Sequence, residues 1–191
     1  GLFPSVIRVW MRARAREARE WEEMTAAPDL FGCKGMGAQR AAWLANFSAE
    51  SAKHNGREYG AAMLDLVKAF EKIPHEQLAR AARRHGFSLK ILRFSLAAYR
   101  IARSISVDGV FSQPVTACQG ITAGSGFATT ELRILMMDLM FSLKRLWPVE
   151  LKLYVDDLTI AAGGQGHEVA SAVAGATDQA VEYFTKLGLD V

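Results

Sequence analysis

Cysteine is scarce in this chain: Cys33 and Cys118 are the only two in 191 residues, far apart and without a metal-ligand spacing. That excludes a disulfide scaffold and a cysteine-based metal cluster, and it leads us to expect reduced thiols in an intracellular protein. No run of about 18 apolar residues occurs, so no transmembrane helix and no membrane partner is expected. The opening GLFPSVIRVW lacks the basic-then-apolar order of a signal peptide, and it lacks an initiator Met. The end, KLGLDV, stops in an apolar run without a helix stop. Both ends are expected to be cuts through a longer chain. Repeats and low-complexity tracts are missing too. A large charge imbalance is missing as well: a net charge of +3 is too small to argue for a polyanionic partner.

What is present is a chain with 50% hydrophobic residues, enough for a substantial core in one domain or slightly more. Its charges are unevenly placed. Arg8, Arg12, Arg14, Arg16 and Arg19 face the single acid Glu17 between residues 8 and 19. Arg80, Arg83, Arg84 and His85 form a second cluster, and Lys90, Arg93, Arg100 and Arg103 a third. Basic helices are the expected footprint on a phosphate backbone, although solvated helix faces account equally for any one of them.

Periodicity predicts a helix over 5–24 anchored by Val6, Val9, Trp10 and Trp21. A Gly-rich loop (31–37) and a helix over 38–54 follow. Residues 58–66 read as a buried strand. Helices are expected near 75–85, with Gly86 at its C-terminal cap, and over 88–102. SISV and VFSQPV around Asp108-Gly109 read as a β-hairpin. The loop QGITAGSG (119–126) leads into an apolar helix over 127–146, in which Met136, Met137, Met140 and Phe141 are expected in the core. Two strands over 150–161 and a helix over 167–187 complete an α+β pattern, helices packed on an antiparallel sheet. Trp43 is expected to be a packing anchor, like Trp10 and Trp21.

Two stretches carry chemistry. In LYVDDLTI (153–160), Asp156 and Asp157 interrupt a run of strand formers, which suggests a hairpin with the aspartates at its tip. An ordinary Asp-containing turn is the simpler account, but no Gly or Asn accompanies it. In AAMLDLVKAF (61–70), Asp65 ends an apolar run, where a carboxylate is costly unless a cation meets it. Capping of the next helix explains Asp65 alone. Three carboxylates at strand ends suggest a shared hard cation, since Mg²⁺ takes carboxylate and phosphate oxygens and paired ions serve phosphoryl displacement.

The residues resemble the reverse transcriptases. Tyr154-Val155-Asp156-Asp157 matches that family's Tyr-x-Asp-Asp box. LDLVKAFEKIPHEQL (64–78) resembles the first catalytic box of the non-long-terminal-repeat retrotransposon and group II intron branch. QGITAGSG resembles the Gly-x-Pro-Gln-Gly-Ser loop, FGCKGMGAQRAAWL (31–44) the fingers segment, and FTKLGLDV (184–191) the start of the next box.

The resemblance implies a right-hand polymerase palm, an antiparallel sheet backed by helices, with partial fingers. Residues 1–57 would be fingers and 58–191 palm, with fingers-associated helices at about 75–103 and the thumb absent. Asp65, Asp156 and Asp157 would be the catalytic carboxylates. With the Leu66 carbonyl they would hold two Mg²⁺, for which Mn²⁺ can substitute. Phe70 would be the steric gate against a ribose 2′-OH. Tyr154 would pack beneath the primer end. Gln119, Gly120, Gly124 and Ser125 would face the incoming nucleotide, and Lys34 and Arg40 would reach its triphosphate. His75 matches the box without being a metal ligand.

The partners implied are an RNA template, a DNA primer and dNTPs. The loop departs from the family: either Ala123 stands at the expected Gln, or Gln119-Gly120 is the matching pair and the rest is shifted. A catalytically impaired nucleic-acid-binding remnant is therefore the alternative. An unrelated metal-dependent nuclease would not account for Phe70 or the order of boxes. The fragment alone is expected to be weakly active or inactive.

Replacing Phe70 with Ala is predicted to admit ribonucleotides in single-nucleotide incorporation assays. Unchanged sugar selectivity would refute the gate.

Overall fold

The computed structural model describes residues 3–33 and 35–191. Its elements run α1 (Ser5–Met24), β1 (Leu30–Phe31), α2 (Ala38–His54), β2 (Glu58–Leu64), α3 (Ala69–Lys72), α4 (His75–Arg84), α5 (Leu89–Tyr99), β3 (Ser106–Val107), β4 (Val110–Phe111), α6 (Ala128–Leu146), β5 (Glu150–Tyr154), β6 (Asp157–Gly164) and α7 (Gly166–Leu187). This is the expected α+β order, with a two-residue strand added at the start of the Gly-rich segment and a single helical turn after Asp65. Residues 100–102 do not continue α5. The chain folds as two compact units, one of residues 1–21 with 68–135, the other of 22–67 with 136–191.

The first unit is helical. In α1, Ile7, Met11, Ala18 and Trp21 are buried while Val6 and Val9 are exposed. Our expectation for the two valines was wrong because the 3.6-residue repeat puts them on the flank of the stripe through Ile7 and Met11. Trp10 packs against Phe94 at 4.0 Å and meets Phe127 edge-on at 6.2 Å. Trp21 meets Phe87 edge-on and donates from Nε1 to the His85 carbonyl at 2.8 Å. After α4, Gly86 adopts φ 68°, the left-handed geometry of a helix stop. The hairpin β3–β4 turns on Asp108 and Gly109, both at positive φ as a type I′ turn requires.

The second unit is built on a four-stranded sheet of order β1-β5-β6-β2. All pairings are antiparallel except β1, which runs parallel to β5 through Leu30 opposite Leu153 and Phe31 opposite Tyr154. Strand β6 is central and largely buried. Strand β2 is an edge: only Leu64 is buried, and Met63 is 83% exposed. The expected buried strand is therefore half-exposed, because an edge strand has one neighbour rather than two. Helix α7 covers one face, where Val169 lies so close to Gly60 that a Cβ there would sit 2.9 Å from Val169 Cγ1. Helix α2 lines the opposite face with alanines.

Two further expectations fail in this unit. Trp43 and Phe47 are 61% and 57% exposed and stack on each other at 5.3 Å. Met136, Met137 and Met140 are buried as expected, but Phe141 is exposed, one position round the helix from Met140.

Trp147 locks α7 to the chain just beyond α6. Its Nε1 donates to Gln179 Oε1 at 2.7 Å, and Gln179 Nε2 donates to Ser142 Oγ at 2.7 Å. The indole lies flat against Gly175, where any Cβ would strike the ring. Gly175→Ala gains roughly 1 kcal/mol of helix propensity but overpacks the indole at about 1–3 kcal/mol. We expect a net loss of stability in urea denaturation; a raised midpoint would count against this packing.

Candidate active site

The antiparallel register of β2 and β6 pairs Leu64 with Leu158, so the next residue on β2, Asp65, falls opposite Asp157 at the same end of the sheet. Asp157 is in turn paired with Tyr154 on β5. Only Val155 and Asp156 lie between the two strands, so the tip of the hairpin is Val155-Asp156, and Asp157 already belongs to β6. Our expectation that both aspartates form the tip holds for Asp156 alone.

Val155 has φ 59° while Asp156 does not enter the positive region. Positive φ at the first turn residue is ordinarily met by Gly. For a β-branched residue it costs on the order of 1–3 kcal/mol, held here by ladder bonds on both sides. Gly32 makes room behind it: a Cβ there would come 3.2 Å from Val155 Cγ2.

Asp65 and Asp157 are exposed and Asp156 is half-buried. These carboxylates stand open at the sheet end rather than inside a core. Burial and then the charges of Asp156 and Asp65 push the Asp157 carboxyl above the ordinary range. The negative charges of Asp156 and Asp65 thus act on the Asp157 carboxyl. Among the described residues no Lys or Arg forms an ion pair with them, and no three His, Cys, Asp or Glu side chains make a ready cation cage. The donor set still fits a hard divalent cation in one respect, since Mg²⁺ commonly takes one or two carboxylates and completes its shell from water and substrate phosphate.

Asp65, Asp157, Tyr154 and Lys152 border a cleft of about 540 Å³ floored by Met63, Leu64 and Thr159 and walled by the Ala face of α2. The Leu66 side chain is buried, and the next residue, Val67, donates its N–H to the Asp190 carbonyl at 2.9 Å, which pins the segment following Asp65. Arg40 is exposed in the first turn of α2. Lys34 lies outside the described residues.

The remaining nucleotide candidates belong to the other unit. There Phe70 is joined directly to the loop: its carbonyl accepts from Ile121 N–H at 2.6 Å, and the Ile73 carbonyl accepts from Gly120 N–H at 2.8 Å. Gln119 bridges Pro74. Gly120 has φ 86° and packs so tightly on Glu71 that a Cβ would collide with its carbonyl oxygen, so only glycine fits. Gly124 also has positive φ, and Ser125 lies three residues before the start of α6.

Sequence reasoning missed the side chains that hold this loop. His75 is buried between Gly120 and Arg100. Arg100 Nε donates to His75 Nδ1 at 3.3 Å, so Nδ1 carries the lone pair and Nε2–H donates to the Gly120 carbonyl at 2.7 Å. Arg103 donates to Thr122 Oγ1 at 2.6 Å. Tyr99 reaches both Ser125 Oγ at 2.7 Å and Glu131 Oε2 at 2.5 Å. The one available signal was Glu131 itself, an acid inside the apolar run FATTELRILMM.

Charge is also divided between the units. The first carries fifteen Lys and Arg against six Asp and Glu, and all three basic clusters fall within it; the second carries eight against fourteen. The near-neutral total hid this.

A family model, reverse transcriptase (RNA-dependent DNA polymerase), matches residues 14–191. The chain belongs to that family. Among solved structures, it resembles an apo telomerase from Candida tropicalis truncated from its C-terminal domain, with TM-score 0.60 at 12% identity over 95% of this chain. That likeness shows the polymerase-type fold, a small sheet backed by helices. The chain spans 38% of that structure's length. No curated protein matches it. No helix among the described residues is long and apolar enough to cross a membrane.

Burial, more than the bond to Gly120 opposes it, lowers the pKa of His75, and Arg100 lowers it further. A group whose folded pKa is depressed below the usual value of about 6.5 gives stability that is full above that pH and lost as pH falls through the folded pKa. The stability advantage of the native chain over His75→Gln should therefore shrink on acidification from pH 8 to 5 in thermal melts. A pH-independent difference would contradict the neutral assignment.

Proposed function

We propose that the chain is the catalytic part of an RNA-directed DNA polymerase of a retrotransposon-like element. The observation that carries this is the convergence of Asp65, Asp156 and Asp157, with Tyr154 beside them, at one end of the sheet and without a paired cation among the described residues. The reaction joins a primer 3′-oxygen to the α-phosphorus of a dNTP and breaks the bond from that phosphorus to pyrophosphate.

Asp65 and Asp156, with Asp157 and the Leu66 carbonyl in support, would hold two Mg²⁺ (or Mn²⁺). When bound, these ions would supply charge stabilisation for the phosphoryl group. The rest of the work belongs to the protein and is mainly positioning. Tyr154 would support the primer end. Phe70 would exclude a 2′-OH. Gln119, Gly120, Gly124 and Ser125 would shape the nucleotide site, and Lys34 and Arg40 would draw in the triphosphate.

The basic clusters of α1, α4 and α5 would follow the template–primer phosphates, which gives binding that is steeply salt-dependent and indifferent to sequence. In this reading the sheet unit is the core of the palm, and residues 1–57 and the helices at 75–103 are fingers elements.

Primer extension on an RNA template with Mg²⁺, by the full-length protein, tests the reading. Asp156→Ala should abolish extension, a loss of at least about a thousandfold given the electrostatic contribution expected of such a group, while leaving the thermal transition in place. Equal extension by both proteins would sink the assignment.

A further inference from the structure

Unit one contains a buried polar cluster that packing does not require. Glu131 is fully buried in α6 beside Leu132, Ile134 and Leu135, themselves buried. Its Oε2 accepts from the Tyr99 hydroxyl, but Oε1 has no hydrogen-bond partner, and neither has the buried Ser95 Oγ on α5. A buried carboxyl with one oxygen unmatched is costly, and an apolar residue of similar size would be cheaper. Burial pushes its pKa up to about 7, while the bond from Tyr99 and the neighbouring Ser95 hydroxyl oppose that rise.

The cluster leads somewhere. Tyr99 is fully buried, with Phe3 stacked on it at 5.8 Å and the His75 ring 6.0 Å away. Its hydroxyl, bonded to Glu131, also bonds Ser125 Oγ. Ser125 Oγ accepts from Phe127 N–H at 3.2 Å, and Ser125 N–H donates to the Thr122 carbonyl at 3.1 Å. The positive-φ turn at Gly124 is thereby clamped between α5 and the start of α6. At its other end the same loop is bonded to Phe70 and Ile73. Glu131 thus sits at the far end of a hydrogen-bonded chain that terminates in the loop.

We propose that Glu131 and Tyr99 are positioning residues for the nucleotide-facing loop: the Glu131–Tyr99–Ser125 chain sets the conformation of residues 122–126 and so the affinity for the incoming nucleotide. This rests on the polymerase reading. Neither residue touches substrate. The carboxylate fixes the direction of the Tyr99 hydroxyl, which fixes Ser125, whose oxygen holds Phe127, the residue just before α6.

The test combines Glu131→Leu, Glu131→Gln and Tyr99→Phe with three readouts. Amide hydrogen exchange should quicken at residues 125–127 in Glu131→Leu and Tyr99→Phe and stay unchanged at 120 and 121, which are held by backbone bonds. The melting temperature of Glu131→Leu should be unchanged or higher, because an apolar residue replaces a half-satisfied carboxyl. In primer extension, KM for dNTP should rise about tenfold in both variants with kcat nearly unchanged, the scale of one lost hydrogen bond. Glu131→Gln, which keeps an acceptor for Tyr99, should restore KM and exchange. A lowered melting temperature with unchanged exchange at 125–127 and unchanged KM would make the cluster merely structural and overturn the proposal. Absence of extension by the native full-length protein would overturn the polymerase reading instead, and the exchange measurement would still decide the clamp.

Discussion

The antiparallel register between β2 and β6 is the constraint on which the candidate site depends. With Leu64 opposite Leu158, Asp65 and Asp157 must meet at the sheet end, and the tight return from Tyr154 must raise Asp156 beside them. A slip of one residue would reverse every side chain on β2 and carry Asp65 to the α7 face. The register is secured from both sides. Gly60 can lie against α7 only because it has no side chain, and the Ala face of α2 borders the cleft on the other side. The left-handed Val155 is the local cost of that tight return.

The helical unit meets a different requirement. A loop rich in glycine has many conformations, so its placement must come from outside it. Backbone bonds to Phe70 and Ile73 hold one end; His75, Arg103 and Tyr99 hold the rest. His75 acts through its neutral form, with Arg100 selecting the tautomer. The same unit concentrates the positive charge, whereas the sheet unit that carries the carboxylates is acidic. Under the proposed function, that division would let the basic unit follow a nucleic-acid backbone while the acidic site is left to cations.

Much was legible from sequence where local rules dominate. Helix 5–24, the Asp-Gly hairpin, the left-handed stop at Gly86 and the long helix before Trp147 follow from periodicity and turn chemistry. The misreadings share a cause. Val6, Val9, Trp43 and Phe141 are apolar residues in helices, and apolarity was taken as burial; which flank of a helix meets the core depends on what packs there. Residues 58–66 were read as a buried strand because most of them are apolar, but the edge position of β2 leaves one side without a neighbour.

The sequence by itself determined the family, through boxes whose residues are contiguous, and with it the three aspartates, because adjacent charges within strand formers are a local anomaly. It also determined the helices and turns that nearest neighbours dictate. Tertiary structure alone decided that Asp65 stands opposite Asp157, that Gly120 must be glycine because of Glu71, and that a buried Glu131 is linked through Tyr99 to Ser125. These relations join residues 26 to 92 positions apart. No local propensity encodes a partner at that distance; only the pairing of strands and the packing of helices does.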